Sequence, residues 1–261
     1  MDAAVFSQIE DGRFVASELA RGPWDAGAQH GGAPAALLMR CFEQVPADRD
    51  LMIARVTYEL LRPVPLGELT AQASVVRPGR RVQLLEGSIS SPEGVELVRA
   101  RALRVSRADA RGFRTDPEPP PIGPVAGEDS SPPFDPPQRP TFAPDAIEIR
   151  FVSGAFGGGP STAWFRLRVP VVAGETPSPL QRLAAAGDFG NGISSVLHWS
   201  EYLFINPDLT LYIERVPVGE WICLDARTII ASDGVGSAES VLHDERGRVG
   251  RAAQALLIAP R

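Results

Sequence analysis

The sequence predicts an α+β protein in which one unit has been built twice. Three observations carry that expectation. Segments of the last third repeat segments of the first at an offset of about 152 to 153 residues: Val64-Pro65-Leu66-Gly67-Glu68 returns as Val216-Pro217-Val218-Gly219-Glu220, and Gly94 and Arg101 fall opposite Gly247 and Gln254. Each copy reads as an apolar helix followed by a meander of strands. Between the copies lies a stretch too rich in proline for either: eleven of the 25 prolines fall between Pro117 and Pro144. A repeat this long, in register across a turn, is the mark of a duplicated domain rather than of a solenoid of short units.

The first unit opens with a short strand over Gly12 to Glu18, then a loop from Gly22 to Gly32 dense in turn-formers. From Ala33 to Val45 the chain is apolar on nearly every side, the pattern of a buried helix, with Pro34 in the first turn where its missing N–H has no partner to lose. Four strand-like runs follow, Ile53 to Arg62, Leu69 to Arg77, Val82 to Ser91 and Glu96 to Val105, separated by Pro/Gly turn signals. A buried helix followed by an antiparallel meander is an α+β unit. The segment from 109 to 144 reads as an extended linker. It divides the chain into expected domains of residues 1–108 and 145–261. In the second unit, strand-like Ala146 to Val152 and Ala163 to Val169 flank a Gly-Gly-Gly-Pro turn. Ser178-Pro179 then starts a helix with a serine N-cap and proline at its first position. That helix runs to Asp188 and is broken by Gly190-Asn191-Gly192; Asn206-Pro207-Asp208 precedes the second meander.

Several function classes are disfavoured. A net charge of −6 gives no general attraction to nucleic acid, and no apolar run approaches the roughly 18 residues of a membrane span. The N-terminus lacks the basic and apolar regions of a signal peptide, and Cys41 and Cys223 fit buried thiols rather than a disulfide framework, so a cytoplasmic protein is expected. The three histidines, His30, His198 and His243, have no metal-ligand spacing. Ser194-Ser195 lacks a nucleophile elbow, and the Gly157-Gly158-Gly159 run lacks the lysine of a phosphate loop.

Four pieces in order, Gln29-His30-Gly31-Gly32, Ala186-Gly187-Asp188, Asn206-Pro207-Asp208-Leu209-Thr210-Leu211, and Gln254 in the final strand, resemble the acyl-CoA thioesterase II group of the hotdog superfamily. The resemblance implies a double hotdog fold, two antiparallel sheets each wrapped around a long central helix. It also implies hydrolysis of acyl-CoA thioesters by an activated water, without metal or other cofactor. The family's catalytic aspartate, hydroxyl residue and glutamine map onto Asp188, Asn206 and Gln254; the middle position departs, since the pattern has threonine there. Acyl-CoA is the implied partner, and a homo-oligomer is among the assemblies the resemblance allows.

The residues themselves support a compatible chemistry. A thioester needs a nucleophile and a stabiliser for the charge that develops on its carbonyl oxygen. Asp188, at a helix break among apolar neighbours, suits a general base toward water, with Gln254 and Asn206 sharing its acceptor role. Gly31 and Gly32, at the first helix's positive end, offer backbone N–H groups as oxyanion donors, and beside them His30 can line the substrate site. Arg77, Arg80 and Arg81 read either as a charged hairpin tip or as partners for coenzyme phosphates. An acyl-CoA hydratase or dehydratase, and a binding protein without catalysis, are the competing readings. Hydratases of the superfamily pair an aspartate with a nearby histidine, and along the sequence Asp188 has none before His198.

Overall fold

A computed structural model describes residues 3–109, 112, 119–130 and 139–261. Its first hairpin, β1 (Phe6–Glu10) and β2 (Arg13–Ala16), turns at Gly12, whose φ of 70° suits glycine. β1 is a strand that periodicity did not reveal. The first helix, α1 (Gly32–Gln44), buries every residue from Gly32 to Phe42, including Leu37, Leu38, Met39 and Phe42 at full burial. Each such side chain contributes roughly 1.5–3 kcal/mol. Arg40 is its buried exception: the guanidinium pairs with Glu175 (Nε–Oε2 2.7 Å) and reaches Gln8 Oε1 at 3.0 Å, tying α1 to the chain on both sides. Arg104 donates to the carbonyls of Phe42 and Val45, satisfying the helix's C-terminal end.

The meander predicted for the first unit is present as β3 (Leu51–Leu60), β4 (Gly67–Arg77), β5 (Val82–Ser90) and β6 (Glu96–Ser106). The proline-rich segment contributes β7 (Glu128–Asp129), and the second unit holds β8 (Ile147–Ser153), β9 (Ser161–Leu167), α2 (Pro179–Gly187) and α3 (Gly190–Ser194). Its meander follows as β10 (Tyr202–Ile205), β11 (Asp208–Ile213), β12 (Ile222–Ile230), β13 (Val235–Asp244) and β14 (Gly247–Pro260). Ser178 caps α2 as expected, its Oγ accepting from Gln181 N–H at 3.1 Å, with Pro179 at the first position. Cys41 and Cys223 are free and buried. No helix among the described residues is long and apolar enough to cross a membrane.

Two features differ from the expectation of separate sheets around long helices. The strands form one hydrogen-bonded sheet in the order β1-β2-β4-β5-β6-β3-β11-β14-β13-β12-β9-β8-β7, with β10 beside β14. The second helix is short, nine residues in α2 and five in α3, with the break at Asp188-Phe189 rather than at Gly190-Asn191-Gly192, which form the first turn of α3. The halves join where β3 and β11 pair antiparallel, Val56 with Leu211, Thr57 with Thr210 and Tyr58 with Leu209. That register is symmetric about Thr57 and Thr210, whose hydroxyls hydrogen-bond at 3.2 Å, so the duplication has become a pseudo-twofold axis. α1 and α2 pack on one another, α1 against β4, β5 and β6 and α2 against β9, β11 and β12.

Register also corrects the pairing of Arg101 with Gln254. In β3–β6 Thr57 opposes Arg101 and Val56 opposes Ala102, whereas in β11–β14 Thr210 opposes Ala253. The axis therefore makes Ala102, not Arg101, the counterpart of Gln254. A one-residue slip reverses the face of a strand: Arg101 points outward toward Glu86, while Ala102 and Gln254 point inward and are buried. The inward row of the first half, Leu85–Ala102–Val56, is wholly apolar. Its counterpart in the second half runs Ala238–Gln254–Leu209 and is polar at Gln254, with Thr228 beside Ala238 on β12 where the first half has Val75 beside Leu85.

Candidate active site at the meeting of the two helices

Asp188 sits at the C-cap of α2, where the chain turns into α3, and faces the first turn of α1. Its side chain is 5% exposed. The Oδ1 oxygen accepts from Asn206 Nδ2 at 2.8 Å and Gln254 Nε2 at 3.1 Å. Gln254 Nε2 also reaches the Asp188 carbonyl at 3.2 Å, and its Oε1 accepts from Asn191 N–H at 3.2 Å. Gln254 thus has both ends of its amide engaged and holds Asp188 by backbone and side chain together. Gly190 makes this approach possible, because a Cβ there would lie 2.7 Å from Ser240 Oγ and 3.2 Å from Gln254 Oε1. Asn206 is fixed in turn by a bond from Nδ2 to Asp208 O at 3.0 Å.

The other wall is the entrance to α1. A Cβ on Gly31 would stand 2.6 Å from Asp188 Oδ2, and one on Gly32 would stand 2.5 Å from the Ala185 carbonyl. Two glycines in succession are what lets a helix start against a buried carboxylate. The Gly32 N–H is not free for substrate: it donates to His30 Nδ1 at 3.1 Å and also supports the Asp188 carboxylate. Of the two expected oxyanion donors, only the Gly31 N–H forms no hydrogen bond among the described residues.

The six residues singled out in the sequence, Asp188, Asn206, Gln254, His30, Gly31 and Gly32, are therefore brought together. His30 is closer to the chemistry than the sequence indicated. Its Nδ1 lies 3.2 Å from Asp188 Oδ2, and the ring packs against both Phe189 (4.3 Å between centroids) and Phe142 (5.2 Å) in a three-ring cluster. This contact removes the argument that Asp188 lacks a nearby histidine: the two residues lie far apart in the chain and meet only because α1 packs on α2. Burial pushes the Asp188 pKa up to about 7, against the opposing effect of hydrogen bonds from Asn206, Gly32 and Gln254. Burial also pushes His30 down to about 3, so the two face one another as a neutral imidazole and an easily protonated carboxyl, not as an ion pair.

A cavity of about 480 Å³ opens onto this cluster, within the usual size of a small-molecule site. Asp188, Asn206, His30 and Gly31 line it. Both halves contribute to its walls, and so does the proline-rich segment, through Arg139, Thr141 and Pro144. At one side Trp24 and Trp199 stack at 3.8 Å, with Phe204 edge-on and the Arg261 guanidinium over both indoles. Arg77, Arg80 and Arg81 do not line it. Arg80 and Arg81 instead share a cleft with Arg49 and Arg107, beyond the far end of α1.

Three contributors were missed. Thr228 donates to Asn191 Oδ1 at 3.5 Å and bonds Ser194 Oγ at 2.8 Å, continuing the chain of polar groups from Gln254. Strand pairing would have revealed it, since Thr228 and Gln254 share a row. Asn191 stood in plain view in the stretch read as a helix break, and the structure places it in α3. Phe142 lies in the segment read as linker, where nothing in the sequence marks it.

With this geometry in place, comparison with known proteins assigns the family. The family model described as the acyl-CoA thioesterase C-terminal domain matches residues 120–258, and that of the N-terminal domain matches residues 20–105. The chain belongs to the acyl-CoA thioesterase family. Membership brings thioester hydrolysis as its class of activity. A hot dog fold protein of unknown function from Alicyclobacillus acidocaldarius superposes with a TM-score of 0.75 at 15% identity, covering 99% of this chain and 97% of that one. The acyl-CoA thioesterase II TesB2 of Mycobacterium marinum superposes with a TM-score of 0.68 at 15% identity, covering 98% and 96%. At these identities the likeness shows the hotdog fold. No curated protein matches the sequence.

Proposed function

We propose that this acyl-CoA thioesterase family member hydrolyses acyl-CoA to the free acid and coenzyme A at the cavity beneath α1, with Asp188 as general base. The observation that carries the reading is a buried carboxyl, its pKa near 7, lining a cavity and held by Gln254 and Asn206. In this reading residues 1–108 and 145–261 are the duplicated units and 109–144 is the connector. Asp188 takes a proton from water as the water oxygen attacks the thioester carbonyl. Gln254 and Asn206 orient the carboxylate, and the Gly31 N–H with the α1 dipole stabilises the oxyanion. The first half's apolar row, Leu85–Ala102–Val56, lacks these groups, which supports one site per chain.

Only the carboxylate can accept water's proton, so the rate of thiol release from acyl-CoA is expected to rise with pH to a plateau, with a midpoint near 7. Below it the rate should fall about tenfold per pH unit. A flat profile from about pH 5 to about pH 8 would remove Asp188 from the role. Gln254→Leu keeps the volume but leaves the Asp188 carbonyl and the Asn191 N–H unpaired. We expect kcat to drop by about 10- to 100-fold and stability by about 1–3 kcal/mol; unchanged kcat would make Gln254 a bystander.

A second reading, hydration of an enoyl-CoA, is favoured by one observation, the 3.2 Å approach of His30 to Asp188. Loss of the enoyl-CoA ultraviolet absorbance on adding enzyme distinguishes it from thiol release.

A further inference from the structure

His30 is built into this site more thoroughly than a pocket-lining residue needs to be. Phe142 and Phe189 fix its ring plane, and Nδ1 is turned to the Gly32 N–H at 3.1 Å and to Asp188 Oδ2 at 3.2 Å. A neutral ring that accepts at Nδ1 carries its proton on Nε2. That second nitrogen forms no hydrogen bond among the described residues, and the ring lines the cavity with 14% of the side chain exposed. One edge of His30 therefore addresses the proposed base, and the other addresses the space a substrate would fill.

We propose that His30 is a second catalytic residue, which protonates the departing sulfur from Nε2 while Nδ1 receives, by way of Asp188, the proton taken from water. The inference rests on the reading of Asp188 as general base. Its chemistry balances without another reactant. Water's oxygen bonds to the acyl carbon and the carbon–sulfur bond breaks. One water proton passes through Asp188 to Nδ1, the other stays on the new acid, and the Nε2 proton goes to sulfur. The ring is neutral before and after; only its tautomer changes, and exchange with water entering the emptied cavity restores it. A thiol of pKa about 8.5 leaves more readily near neutrality when it is protonated as it departs. An imidazolium has no acceptor to offer, so the burial that keeps His30 neutral preserves both functions. The missing Cβ of Gly31 is what admits the carboxylate to this distance.

The test compares acyl-CoA with the same acyl group on 4-nitrothiophenol, whose thiolate leaves without a proton. His30→Phe preserves the aromatic stack. It should lose about 100-fold or more in kcat on acyl-CoA and about tenfold less than that on the aryl thioester, where only acceptance at Nδ1 is lost; an unchanged circular dichroism spectrum shows that the variant is folded. His30→Gln, which restores a donor, should recover part of the loss on acyl-CoA. Equal losses on the two thioesters, or no loss on acyl-CoA, overturn the proposal. Ring nitrogen resonances of the wild-type protein supply an independent reading: the Nε2–H tautomer at pH 6 is expected, and an imidazolium or Nδ1–H form there overturns it. If Asp188→Asn instead retains activity on both thioesters, the failure lies with the general base.

Discussion

Asp188→Asn is expected to be more heat-stable than the wild-type protein at pH 8 and no more stable at pH 4. In the unfolded chain this carboxyl titrates near 3.8, and in the folded protein burial moves it up to about 7. Between those values the folded state holds a proton that the unfolded state has lost, so stability declines as pH rises through that window. Below it both states are protonated and the site costs nothing. Above it the full cost of a buried carboxylate is present, on the order of 4 kcal/mol for such a displacement. Asparagine has almost the same shape: its Oδ1 can keep the bonds from Asn206 and Gln254, and its Nδ2 can donate to His30 Nδ1. The melting temperature should therefore rise by on the order of 10 °C at pH 8. A difference independent of pH would mean that the folded protein ionises Asp188 freely.

Gly32→Ala should act in the opposite sense, against helix propensity. In an exposed helix alanine is the better residue by about 1 kcal/mol. Here its Cβ would sit 2.5 Å from the Ala185 carbonyl, 3.1 Å from Phe142 Cε1 and 3.3 Å from His30 Nδ1. The nearest of these is backbone in the last turn of α2, so relief requires the two helices to part along a buried interface. Overpacking of this kind costs about 1–3 kcal/mol. The same displacement would carry His30 away from Asp188, and thiol release should fall at least tenfold with stability. A Gly32→Ala protein that melts at or above the wild-type temperature with full activity would show that the helix contact is not as close as described.

How much of this was legible in the sequence depended on whether the cause was local. Ser178-Pro179 announced α2, and the apolar run from Ala33 announced α1, because caps and helix faces are decided within a few residues. Asp188, Asn206 and Gln254 were singled out through the order of their motifs and lie together in the structure. The helix break, by contrast, falls at Asp188-Phe189, just before the Gly190-Asn191-Gly192 stretch expected to make it. Non-local causes stayed hidden. Nothing in the alternation of β3 and β11 says that they pair with each other and join the halves into one sheet. The repeat offset drifts by one residue across the meander. In a sheet that drift decides which face a side chain takes, so Ala102 rather than Arg101 matches Gln254. His30 and Phe142 entered the site through helix packing and through the return of a proline-rich segment, neither of which leaves a periodic signature.

The central claim, that Asp188 activates water against a thioester in this cavity, is tested most directly by free-thiol release from a panel of acyl-CoAs, comparing wild type with Asp188→Asn at pH 8. The account predicts turnover by the wild-type protein on at least one acyl-CoA and a loss of about 1,000-fold or more in the variant, within the range for removing a general base. Turnover by Asp188→Asn within a few-fold of wild type would contradict it.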